Sequence, residues 1–230
     1  VQTAQTVSAP APRIRELFSP AFWPRTRSAL LMTFVALLTW WSCNAFIPVV
    51  SATLGQAAAA ASGLDKAATS ALVESWKTIA TTSFNLGGLI GTLLTIPVAK
   101  RLGRKPMFAI YFGVSALALM GTFGLDLPEE IRLYAYFFIG LSVFGVFGSF
   151  TYYLPELYPT RLRATGAGFC YNIGRVVAAA GPYVVGSVAA AGAGSPAVIL
   201  NALFAVAFVP LAGLLFIPLV VETRGQTLPD

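Results

Sequence analysis

An all-α membrane protein of six transmembrane helices is the architecture that this sequence predicts, on three observations. The chain is 57% hydrophobic and 10% charged, with a mean hydropathy of +0.75. A soluble domain is roughly a quarter charged, so lipid must be the solvent for most of these residues. Six apolar runs also reach the length of about 20 residues that crosses hydrocarbon: 28–50, 76–99, 106–125, 131–153, 164–190 and 196–221. Finally, the basic residues between the runs alternate. Arg13, Arg15, Arg25, Arg27, Lys100, Arg101, Arg104, Lys105, Arg161, Arg163 and Arg224 fall on one side, while Lys66 and Arg132 fall on the other with Lys77 at its edge. The positive-inside rule then predicts cytoplasmic termini and cytoplasmic 100–105 and 155–163 turns.

The same patterning narrows the function. A net charge of +6 does not mark a nucleic-acid binder here, because the basic residues sit between apolar runs rather than on a soluble face. There is no histidine and no cluster of metal ligands, and no cofactor is expected. Cys43 and Cys170 fall at different depths, so no disulfide is expected between them. A soluble enzyme is excluded by composition, and a membrane enzyme would want clustered acids, histidines or a nucleophile. A stand-alone channel or scaffold is the rival class; a channel would need a continuous polar stripe or re-entrant filter.

Taken in order, residues 1–27 form a linker. Residues 1–12 (VQTAQTVSAPAP) lack the apolar core of a signal peptide, and the chain is expected to be a segment of something longer. IRELFSPAFWPRTRS (14–28) interleaves prolines, bases and aromatics as an interfacial lead into the first span. The first span carries Trp40, Trp41, Ser42 and Asn44 well inside; one tryptophan is expected to face a cavity and the other to pack. The alanine-rich stretch 51–75 is expected to be an outer loop, either floppy or with a short surface helix. In the second span Asn85 precedes GGLIG, whose Gly87 and Gly91 make a helix-packing face. The third span is softened by Pro106 and three glycines. Tyr152 and Tyr153, ending the fourth, are expected to form an aromatic belt. Residues 222–230 are expected to be a cytoplasmic tail.

The fifth span contains Arg175. Entered near residue 164, it lies roughly 16 Å deep, where a lipid-facing guanidinium costs at least about 3 kcal/mol. It must therefore face the bundle interior, a watery cavity or a partner. Tyr171 and Asn172 lie four and three residues before it and share its face. Tyr, Asn and Arg together suit a solute wall, with the guanidinium matched to a carboxylate. The alternative is a structural arginine bonded to the carbonyls of a broken helix. Gly166, Gly168, Gly174, Gly181 and Gly186, with Pro182, are expected to permit close approach and bending. Every acid lies in a loop or at a span edge, so if the full protein is a proton symporter its protonation site is expected outside this sequence.

Three charged stretches carry a resemblance. AKRLGRKPMF (99–108), PELYPTRLRATG (155–166) and VVETRGQTLPD (220–230) are similar to the loop, Glu-x6-Arg and terminal signatures of the major facilitator superfamily, in the order of its carboxy-terminal half. Lys100 stands where that family has an acid, Lys105 where it has a second arginine, and Val221 where it has a proline. The resemblance implies six helices as two inverted three-helix repeats, paired with an amino-terminal six-helix half. It also implies a small-molecule substrate moved across the plasma (inner) membrane by alternating access. GAGFCYNIGR (166–175) looks most like organic-acid and sialate proton symporters, which implies an organic anion; a sugar is the alternative. The family's cytoplasmic latch would fall on Arg101, Gly103, Arg104, Glu156, Arg163 and Glu222, with Arg104 against Glu156. Substrate contacts would fall on Arg175, Asn172, Tyr171, Asn44, Trp40, Trp41 and Asn85.

Overall fold

Among the described residues, six apolar runs fold into six rods long and apolar enough to cross a membrane, the last two of them interrupted. A computed structural model describes residues 11–192 and 195–226. The features expected of residues 1–10 and 227–230 lie outside the described residues, as do residues 193–194. A short 3-10 turn, Ile14–Phe18, leads into α1 (Trp23–Ala61). Then follow α2 (Lys66–Leu102), α3 (Arg104–Gly124) and α4 (Glu129–Glu156). The fifth rod is α5 (Thr160–Ala178) plus α6 (Ala180–Ala191), and the sixth is α7 (Pro196–Val206) plus α8 (Phe208–Leu215). Both interruptions have the same cause. Pro182 and Pro210 lack the N–H that would bond the carbonyl four residues earlier, and the helix pauses at Ala179 and Ala207, three residues before each proline.

The stretch 51–75 is not a loop. α1 runs on through its alanines to Ala61, and α2 begins at Lys66, so only residues 62–65 turn the chain. Alanine has the highest helix propensity of any residue, and Gly55 lets α1 lie against Val73 and Trp76 of α2. Gly63 takes φ +64° and Asp65 caps α2, its Oδ1 accepting from the Ala68 N–H at 2.7 Å. The result is a helical hairpin; α1 alone is 39 residues, about 58 Å long.

The closest packing joins α2 to α4. A Cβ on Gly87 would lie 2.0 Å from the Phe137 carbonyl oxygen, and one on Gly91 only 1.8 Å from that of Leu141. Gly140 answers from the other helix, 1.9 Å from the Phe84 carbonyl oxygen. The packing face expected of GGLIG is therefore formed, with backbones in contact. On the fifth rod Gly174 and Gly181 admit Leu37, Thr33 and Ser42 of α1, Gly166 admits the Tyr158 ring and Gly186 touches Phe46, whereas Gly168 meets nothing within 4 Å.

Buried side chains form two clusters. One, at the end nearest residue 17, includes Leu17, Met32, Phe108, Phe150, Tyr153 and Tyr158; the other, nearer residue 64, includes Ile47, Trp76, Phe84, Phe123, Tyr136 and Leu203. Tyr153 is no belt residue. It is 0% exposed, bonds Ser28 Oγ at 2.6 Å and donates to the Val221 carbonyl at 3.2 Å. Nor does the terminal segment start as a free tail. Val221 is also held by its own N–H to Ser28 Oγ at 3.1 Å, and Thr223 is buried.

Candidate functional site

Two polar constellations stand out among the described residues. The first lies midway along the fifth rod. Arg175 is 15 residues beyond the start of α5 at Thr160, about 22 Å along the axis, and one turn before the break at Ala179. Its side chain is exposed and has no hydrogen bond or ion pair among the described residues. An open groove of about 520 Å³ is lined by Trp41 of α1 with Asn172, Arg175, Val176, Ala179 and Pro182. A guanidinium, an amide and an indole thus meet at one place. A second cleft, between α1 and the α6–α8 rods, is lined mostly by apolar residues such as Leu38, Gly181, Val184 and Val206, with the Ser42 hydroxyl and no charged group.

The two tryptophans divide their roles. Trp40 packs inward against Phe144 and Phe147, at 5.6 and 5.3 Å between ring centroids, and braces Trp41 edge-on at 4.8 Å. Trp41 lines the groove. Asn172 is half committed, its Nδ2 donating to the Gly168 carbonyl at 2.8 Å. Tyr171 turns toward Phe150, 6.3 Å away, and does not line the groove. Asn44 is exposed one turn beyond Trp41, and Asn85 is exposed on α2 with its Nδ2 donating to the Thr81 carbonyl at 2.8 Å. Neither joins Arg175.

The second constellation lies where α2, α3, α4 and the terminal segment converge. Arg104 grips Glu156 with two donors, Nε to Oε2 at 3.0 Å and Nη2 to Oε1 at 2.5 Å. The side chains are 13% and 18% exposed, so this fork is stronger than a surface pair. The Tyr152 ring lies beneath the guanidinium, its centroid 5.5 Å from Arg104 Cζ. Thr223 Oγ1 donates to Glu156 Oε2 at 2.6 Å. Glu222 reaches the start of α3 and accepts the backbone N–H groups of Arg104 and Lys105 at 2.9 and 3.0 Å, placing an anion on a helix N-terminus. Gly103 makes room with φ +101°; a Cβ there would stand 2.6 Å from Glu222 Oε2. Burial alone would raise the Glu222 pKa, but these two N–H groups, that of Arg224 and the charge of Arg104 together hold it below the usual carboxylate range.

No family model matches the chain. Relatives do. A Haemophilus influenzae protein provisionally named for metabolite transport is 35% identical over 142 residues, 62% of this chain and 34% of its own. The gallate transporter of Pseudomonas putida is 25% identical over 198 residues, 84% of this chain and 40% of its own. The niacin transporter of Acinetobacter baylyi is 31% identical over 145 residues, 62% and 32%. With six membrane-length helices and the three signatures in order, these similarities decide the lineage.

The chain belongs to the major facilitator superfamily.

It spans about a third of the length of these relatives, between 32% and 40%. Among the superfamily signature residues, the structure joins Arg104, Glu156, Gly103 and Glu222 into one network. It does not bring Arg163 to Glu156, and Arg101 is exposed with no partner among the described residues. Arg163 keeps a buried Nε without a hydrogen-bond partner. Its neighbour Arg161 instead forks onto Glu16 in the lead-in turn, an ion pair that sequence reading missed. Glu16 and Arg161 are 145 residues apart, and only the alternation of acid among bases in IRELF hints that Glu16 has a distant cation.

Proposed function

We propose that this chain is the carboxy-terminal half of a secondary transporter that moves a small organic anion by alternating access. An amino-terminal six-helix half would supply the opposite wall. Arg175 receives the carboxylate, Asn172 offers an amide, and Trp41 bounds the solute. The observation that carries the reading is the Arg175 guanidinium at mid-span, exposed in a groove and unpaired among the described residues, since a charge at that depth is retained only where something uses it. Gallate and niacin, for which two relatives are named, are both small carboxylates. Both termini are cytoplasmic in this proposal, the membrane is the plasma membrane, and Arg104, Glu156 and Glu222 form a latch at its inner face. If transport is proton-coupled, the titrating acid belongs to the other half, because the apolar cores of these six spans hold none.

The test is uptake by the complete transporter of a panel of carboxylates and their uncharged amides. Arg175→Ala should weaken carboxylate uptake by about 10- to 100-fold, the worth of hydrogen bonds to a charged group. Membrane insertion should stay intact, with Arg175→Lys falling between. Normal carboxylate uptake by Arg175→Ala refutes the role.

A further inference from the structure

The turn that leads into α1 has two unlike sides. On the inner side Leu17 is 0% exposed in the core, its carbonyl accepts from Thr26 Oγ1 at 2.8 Å, and Glu16 is spent on Arg161. On the outer side Ile14, Phe18 and Trp23 are 53%, 49% and 42% exposed. Phe18 stacks on Trp23 at 6.0 Å and takes the edge of Phe169 at 5.6 Å, so the rings form a fixed platform. Beside it Arg13 and Arg15 are exposed and make no ion pair among the described residues. The segment 11–27 holds four arginines and one acid, Glu16, whose charge Arg161 already meets.

We infer that this outer side is a docking surface for anionic phospholipid headgroups at the face of the membrane from which α1 starts. Position requires contact with that zone, because Trp23 is the first residue of α1. Chemistry selects the occupant: amphipathic rings settle at headgroup depth, and guanidinium groups fork onto phosphate and gather acidic lipid. The uncompensated charge favours an anionic headgroup over a zwitterionic one. Because Glu16 and Leu17 pin the other side, bound lipid steadies the start of α5 through Arg161. This rests on the membrane architecture and not on the identity of the solute.

The experiment uses the complete protein with Ala21→Cys, an exposed site between Phe18 and Trp23, carrying an environment-sensitive fluorophore. Cys43 and Cys170 are buried and stay unlabelled. Bilayers contain equal fractions of bromine-labelled phosphatidylglycerol or phosphatidylcholine. Quenching by the brominated phosphatidylglycerol should exceed that by the phosphatidylcholine about threefold or more. In R13Q/R15Q the two should become equal while phosphatidylcholine still quenches. Equal quenching without those substitutions overturns the inference, and so does quenching by neither lipid, which would assign the face to another stretch of protein. Loss of folding in R13Q/R15Q leaves the comparison of the two lipids in the parent protein to decide.

Discussion

Gly103 sits in a backbone region that only glycine occupies comfortably, with the Glu222 carboxylate pressed where a side chain would begin. Gly103→Ala should cost about 1–3 kcal/mol in backbone strain and displace the carboxylate. The readout is the thermal midpoint in detergent, and an unchanged midpoint would refute the cap. Glu222 also sets a pH dependence. Its folded pKa is depressed below the ordinary value of 4.5, so its contribution is complete above that value and disappears as pH falls through the folded pKa. The midpoint should drop as pH falls below the ordinary carboxylate value of 4.5, and Glu222→Gln should flatten that drop; equal slopes would show that the carboxylate is not responsible. Arg104 and Glu156 were legible because the two signatures name them. Tyr153 was not: at a span end a tyrosine suits either the interface or a buried hydrogen bond, and only the distant Ser28 and Val221 decide between them.

Among the helices, the tightest constraint is the glycine seam between α2 and α4. Gly140→Val or Gly91→Val would force backbone apart by more than an ångström, against a usual overpacking cost of about 1–3 kcal/mol. Monodisperse protein on size exclusion should be lost. Gly113→Ala and Gly121→Ala, where nothing lies within 4 Å, should leave the elution profile unchanged. A well-behaved Gly140→Val protein would mean that the two helices do not meet there. The six spans were legible because apolar run length is a direct measure of bilayer thickness. The hairpin ends of α1 and α2 were not, since alanine is a weak hydrophobe but a strong helix former, and hydropathy weighs only the first property. The interruption in the fifth rod was half legible: glycines and Pro182 announced bending, but its position at Ala179 follows from the donor missing at Pro182, three residues on.

In the molecule as a whole, the Arg104–Glu156 fork ties α3 to α4 while Glu222 and Thr223 bind the terminal segment to both. In the proposed cycle these ties break when the adjoining face opens. Glu156→Gln removes the charge but keeps the shape, and should shift the equilibrium toward that open state. A single cysteine at Thr151, beside Tyr152 and Glu156 in the cleft of the fork, should then react several-fold faster with a membrane-impermeant reagent applied from that side. Unaltered reactivity would remove Glu156 from any gating role. Arg175 has a consequence for energetics. It is a fixed positive charge at mid-depth, and no acid in these spans neutralises it when the groove is vacant. In the proposed cycle a loaded site would travel with its charge cancelled by the anion, whereas an unloaded one would return carrying it. Moving one elementary charge through the full potential is worth about 2.3 kcal/mol per 100 mV, so unless the other half supplies a counter-charge, membrane voltage would act on the homeward step and leave the outbound one alone.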